Sequence, residues 1–246
     1  MKSALLWLLR SSLLLLFAGL VLGQTDPFQT AAELLEIGRV EEARKLLLDL
    51  LSQNPGAEPI EGFLGQIAFS QKNYAEAASR FRKAPSILAR NPVLSVNYAE
   101  ALLETESLEA AKRELERLPR SDAAAQFESG LLLARAGDFV AAEAHFKFAR
   151  EGYPNADVVE YNLALAQLHA QKYPECVTTL EQMRARGGSN SDVLRLLAEA
   201  YLEAGRPQKS YEVLQELIKD NPRDRRLYLL LTQLADQEDR ADIGLE

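Results

Sequence analysis

Apolar residues recur along this chain at helical rather than strand spacing, and the clearest case is Phe127 to Pro154, FESGLLLARAGDFVAAEAHFKFAREGYP. Two short amphipathic patterns flank Gly137 and Asp138, and Pro154 ends the second. Each pattern predicts a helix, and the glycine predicts the turn between them. Small residues stand at Gly130 in the first and at Ala142 and Ala149 in the second; large ones, Leu133, Phe139 and Phe146, stand between them.

The same pattern recurs. The position of Ala142 is matched by Ala43, Ala77, Ala111, Cys176 and Ser210, at spacings of 34, 34, 31, 34 and 34 along the chain. Twelve residues before each stands Ala31, Gly65, Ala99, Gly130, Ala164 or Ala198, and four after each Leu47, Phe81, Leu115, Phe146, Leu180 or Leu214. Two columns are small and the third is large and apolar, as an antiparallel helix pair requires. Where two helices approach most closely only a small side chain leaves room, and large ones fill the adjacent grooves. One pair cannot bury both of its faces, so each must stack on the next.

This period and these columns resemble the tetratricopeptide repeat (TPR) family, helix–turn–helix units of 34 residues. The family's tryptophan column is empty here, and its Leu-Gly pair is intact only as Leu64-Gly65. The resemblance implies an all-α fold, an α-solenoid of about six repeats forming a right-handed superhelix, with a capping helix at the C-terminal end. The repeats are placed at about 24–57, 58–91, 92–122, 123–156, 157–190 and 191–224, the capping helix at 225–239 and a tail at 240–246. Pro85 is expected to stop the second repeat, with Ser86 to Arg90 as a longer connection, and Pro119 to end the third repeat early. The capping helix is expected to turn a polar face outward.

Residues 1–23 are a separate module. Lys2 and Arg10 precede the apolar run from Ser11 to Leu22, and polar Gln24-Thr25-Asp26 follows Gly23. This resembles a secretory signal peptide cleaved after Gly23, and implies a secreted or periplasmic protein. The alternative is an uncleaved membrane anchor over Ala4 to Leu22, just long enough to span a bilayer but with Arg10 near its middle.

Composition removes several function classes. The net charge is −8 and no dense Lys/Arg run is present, which disfavours nucleic acid as a ligand. Cys176 is the only cysteine, so intramolecular disulfides and cysteine-cluster zinc sites are excluded. His145 and His169 lack a partner at metal-ligand spacing, and neither a phosphate-binding glycine loop nor a G-x-S-x-G elbow occurs. The reading is therefore of a protein that is not an enzyme, with no catalytic, metal or cofactor residues. Its expected partner is a protein or peptide, and a membrane enters only through an uncleaved N-terminus.

In TPR proteins the first helices line a concave surface, and the resemblance implies that this surface holds the partner. Helical phase nominates Phe28, Phe63, Gln66, Phe69, Asn97 and Glu100 from the first three repeats. Phe127, Leu131, Arg135, Tyr161, Asn162, His169, Arg195 and Glu199 follow from the last three. Apolar and aromatic residues suit anchoring of a hydrophobic or helical segment. Asn97 and Asn162 share one phase, and an amide there can either pair with an extended peptide or bond neighbouring helices. Mass spectrometry of the exported chain is expected to find Gln24 as its first residue; a chain still carrying Met1 would favour the anchor.

Overall fold

The apolar stretches between turn residues form helices. The computed structural model describes residues 26–188, 190–220 and 222–238. Residues 1–23 and the tail lie outside these. Contacts divide the chain into two compact units, the first ending at Pro119 and the second starting at Arg120. Within the first stand α1 (Pro27–Glu36), α2 (Val40–Gln53), α3 (Glu58–Ser70), α4 (Tyr74–Phe81), α5 (Pro85–Leu88), α6 (Pro92–Thr105) and α7 (Leu108–Leu115). Within the second stand α8 (Ala123–Arg135), α9 (Phe139–Ala149), α10 (Ala156–His169), α11 (Tyr173–Ala185), α12 (Ser191–Glu203), α13 (Pro207–Asp220) and α14 (Arg225–Glu238). No strand occurs among the described residues.

Local chemistry sets the helix boundaries. Asp26, Asn73, Asn91, Ser107, Asp122, Asp138, Asn155 and Asn190 each accept a backbone N–H of the first turn that follows. Between paired helices the backbone reverses through a left-handed residue: Gly38, Lys72, Gly137, Gln171 and Gly205 all have φ between 59° and 82°. Glycine is the natural occupant there, because a side chain at Lys72 or Gln171 costs about 1–2 kcal/mol in that conformation. Repeat three turns differently, at Glu106 with φ −125°. Pro85 does not simply interrupt the chain. It opens α5, at a position where its missing N–H costs no helical bond.

The three sequence columns form the core of each pair. Every one of the eighteen residues is buried, and none of the large ones exceeds 1% exposure. Glycine in the small column is matched by phenylalanine in the large one, Gly65 with Phe81 and Gly130 with Phe146, whereas alanine is matched by leucine in the other four repeats. The reason is steric. A Cβ at Gly65 would lie 2.7 Å from the Phe81 ring, and one at Gly130 would lie 2.5 Å from the Phe146 ring, well inside contact distance. In the last two pairs the small residue of the second helix also bonds the first. Cys176 Sγ–H donates to the Ala164 carbonyl at 3.2 Å and Ser210 Oγ–H to the Ala198 carbonyl at 2.7 Å.

Polar side chains set the register inside and between pairs. Arg80 donates to buried Glu61 at 2.9 Å, and His145 Nδ1 lies 2.7 Å from Gln126 Oε1 at the equivalent place in the fourth pair. Between neighbouring pairs, Arg44 bonds Glu76 at 2.8 Å, and Lys172 reaches buried Glu143 at 2.6 Å. Burial alone would push the Glu143 carboxyl up, but its bonds to Lys147, Lys172 and Gln167 outweigh this and hold it below the usual range. In the second unit one apolar cluster runs from Ala164 to Leu234, so α14 closes the stack with Leu227, Leu231 and Leu234. The exposed side of α14 carries Arg225, Arg226, Thr232 and Gln233, and among them Tyr228 is 43% and Leu229 65% exposed.

The steric pairing is testable. Gly130→Ala alone is expected to cost about 2 kcal/mol by overpacking against Phe146. Adding Phe146→Leu recreates the alanine–leucine pair of the other repeats and is expected to restore wild-type stability within about 1 kcal/mol, helped by the better helix propensity of alanine. Thermal melting followed by circular dichroism measures both; simple addition of two losses would show that the columns do not act on each other.

Candidate partner-binding surface

The nominated side chains all stand on the first helices of their pairs. What covers them differs from repeat to repeat, and this decides which nominated side chains stay accessible. In the first unit Phe28 is half-buried and stacks on Phe63 at 5.9 Å between ring centroids. Phe63 is itself only 5% exposed, a core residue rather than an anchor for a partner. Phe69 remains half-buried and meets Tyr74 edge-on at 5.8 Å. Asn97 Nδ2 donates to Gln66 Oε1 at 2.8 Å, so these two half-buried amides tie α6 to α3. Glu100 is half-buried beyond them on α6.

The second unit repeats this division. Phe127 is 5% exposed, closed over by Tyr153 at 4.5 Å and Phe146 at 5.8 Å. Its nomination is corrected in the same way as that of Phe63, because Tyr153 from the segment after α9 covers the face that helical phase leaves open. Leu131 is half-buried and Arg135 exposed on the last turn of α8. His169 is exposed at the end of α10 and stacks on Phe139 at 4.7 Å. Asn162 Nδ2 donates to the carbonyl of Val158 on its own helix at 2.8 Å. Arg195 pairs with Asp192 at 2.6 Å. Glu199 is half-buried; burial raises its carboxyl, and nearby His169 opposes that shift.

Two nominated residues, Tyr161 and Asn162, meet in an open cleft of about 510 Å³ between the first turns of α10 and α12. Asn155, Asp157, Asn190 and Asp192 complete its polar wall, Val158, Val193 and Met183 its apolar one, and Gly187 and Gly188 its rim. Burial raises the Tyr161 hydroxyl, and Asp192 adds to the shift, so Tyr161 stays a neutral donor at physiological pH. An apolar patch beside amide and hydroxyl groups can seat a side chain and bond the main chain next to it. Sequence phase did not identify Asn155 and Asn190. Their visible signal was helix capping, which any surface helix shows.

Among the described residues no group of three or more His, Cys, Asp or Glu is placed to hold a metal ion. His145 is engaged with Gln126 in the packing of the fourth pair. Burial, with a contribution from Glu199, pushes the Cys176 thiol up to about 12.

Two models described as tetratricopeptide repeat match the sequence, one over residues 28–92 and the other over 68–131 and 178–234. Together they take in more than half of the chain. The chain belongs to the tetratricopeptide repeat family. Solved structures agree with the fold. A tetratricopeptide repeat protein from Parabacteroides merdae is 16% identical with a TM-score of 0.55, over 89% of this chain and 88% of its own. PilW, a widely conserved type IV pilus biogenesis factor, is 21% identical with a TM-score of 0.51, over 82% and 96%. A chain of the structure of Naa15/Naa10 bound to HypK-THB reaches a TM-score of 0.65 at 16% identity, over 89% of this chain but 35% of the matched one. No curated protein matches the sequence. The α-solenoid of TPR repeats is a fold typical of protein–protein interaction scaffolds without enzymatic activity.

With its thiol raised to about 12, Cys176 is present as thiolate to only about one part in ten thousand at pH 8. Iodoacetamide at that pH is expected to label the folded protein at least about a hundredfold more slowly than the urea-unfolded chain. Equal rates, followed by mass spectrometry, would show that this part of the core opens freely.

Proposed function

We propose that this TPR protein is an exported, non-catalytic scaffold that holds a protein or peptide partner against the first-helix faces of its repeats. The observation that carries this reading is the cleft of about 510 Å³ between α10 and α12, where Tyr161 and Asn162 lie beside Asp157, Asn190 and Asp192. An aromatic ring with a polar tip is a common anchor, because it contributes large contact area at little entropic cost. The amide and carboxylate groups around it favour a polar or cationic stretch of partner chain. In the first unit Phe28 and Phe69 provide half-buried aromatic surface of the same kind.

Export rests on the N-terminal segment, with its basic start, apolar run and small residues before Gln24. A place in envelope assembly or secretion is the setting that segment favours. PilW is a pilus biogenesis factor, but at 21% identity the likeness carries fold alone. A second reading, a membrane-tethered adaptor, draws on the same segment left uncleaved. Among the described residues no helix is long and apolar enough to cross a membrane. Service as an accessory subunit of an enzyme complex uses the same surface, with the chemistry in the partner.

A photo-crosslinking residue placed at position 161 in the native host is expected to trap a discrete partner. One placed at Val140, 59% exposed on a second helix, is expected to trap none. Tyr161→Ala should then weaken the purified complex about tenfold or more, the loss of a single anchor residue. Unchanged affinity for Tyr161→Ala, with unchanged melting, would exclude the cleft as the docking site.

A further inference from the structure

One position on the first helices is covered in some pairs and open in another. It lies three residues before the small residue, at Gly62 in pair two, Phe127 in pair four and Tyr161 in pair five. In pairs two and four the segment leaving the second helix supplies the cover. Ile87 of α5 lies over Gly62, its Cγ2 3.2 Å from where a Cβ would stand. Tyr153 lies over Phe127 with ring centroids 4.5 Å apart. Tyr153 stands eleven residues after Ala142, and the residue eleven after Cys176 is Gly187.

Pair five therefore has no such cover. There α11 continues to Ala185, nine residues past Cys176, whereas α9 stops at Ala149, seven past Ala142. The chain then leaves through Gly187 at φ 84°, a conformation in which any side chain is strained. Beside Tyr161 this leaves the cleft of about 510 Å³. Phe28 stacks on Phe63 and Phe127 meets Tyr153, but among the described residues no ring lies against Tyr161.

On the reading of this cleft as the docking site, we propose that its occupant is one aromatic side chain, carried on an extended segment of the partner and laid on Tyr161 as Tyr153 is laid on Phe127. Val158, Val193 and Met183 offer the ring apolar contact, and a methionine sulfur packs well at a ring edge. Asp157 and Asp192 stand on the polar wall, where a tyrosine hydroxyl or a main-chain N–H of the same segment finds an acceptor. Tyr153 itself lies outside any helix and precedes Pro154, so the chain that carries the ring in pair four is extended.

The sequence that closes pair four provides the probe: the neutral peptide acetyl-GYPN-amide, residues 152–155. A copy with 3-fluorotyrosine reports binding to the full chain by broadening of its fluorine resonance. Unlabelled peptide is expected to displace it with a dissociation constant on the order of 1 mM, as for a single anchor. A version with leucine in place of tyrosine should bind at least about fivefold more weakly, for want of the ring–ring contact. Tyr161→Phe should keep the affinity within about threefold, and Tyr161→Ala, at unchanged melting, should weaken it at least about tenfold. Equal binding of the tyrosine and leucine peptides, binding of neither, or binding that Tyr161→Ala leaves in place would each overturn the proposal. A partner crosslinked from position 161 despite any of these results would leave docking at the cleft standing, so the two readings fail separately.

Discussion

Close approach of two helices within each pair is the constraint from which the rest of the structure follows. A first helix can lie against its second only where one residue on each is small, and the space so defined is filled by one large side chain four residues further on. The buried columns show how narrow the tolerance is. A methyl group at Gly130 would enter the Phe146 ring, while Ala164 sits comfortably against Leu180. Volume is thus conserved across the pair rather than residue by residue, as close-packed interiors require. Substitutions at Cys176 and Ser210 keep the size and add a bond to the facing helix carbonyl.

Once the pairs are fixed, stacking decides what becomes surface. The second helices and connecting segments carry many of the ionic links, such as Arg44 with Glu76 and Lys172 with Glu143. Links of this kind are worth little when fully exposed. At Glu143 the carboxylate is buried and has three partners, so loss of one leaves a charge poorly compensated and the register more firmly specified. First helices, by contrast, keep Phe28, Phe69, Tyr161 and the Asn97 and Asn162 amides half-buried, although Phe63 and Phe127 are closed over. That asymmetry is what a scaffold needs: a rigid stack on one side and unfinished polar and aromatic surface on the other.

The fold was legible in the sequence because its determinants repeat. Three columns in phase over six copies identify close contacts directly, since the same steric demand returns every 34 or 31 residues. The turn at Gly137 was legible from its glycine, whereas Lys72 and Gln171 take the same left-handed conformation without that mark. Surface chemistry was less legible. Helical phase placed Phe28, Phe127 and Tyr161 at one position, yet Phe28 and Tyr161 are half-buried whereas Phe127 lies beneath Tyr153. The covering residue comes from a connecting segment with no periodic signature. Phe63 is likewise closed by Phe28, which belongs to the preceding repeat.

The outer face of α14 carries this reasoning one step further. A helix that merely ended the stack would need only to be soluble, and polar residues on its outer face would suffice. Here Arg225, Arg226, Thr232 and Gln233 supply that polar surface, and Leu229 stands exposed among them. Asp224 caps the first turn by accepting the Arg226 N–H at 3.0 Å, which places an acid at the partially positive end of the helix. The end of the stack is therefore held by this cap and by Leu227, Leu231 and Leu234 on the inner side, and Leu229 takes no part in that hold.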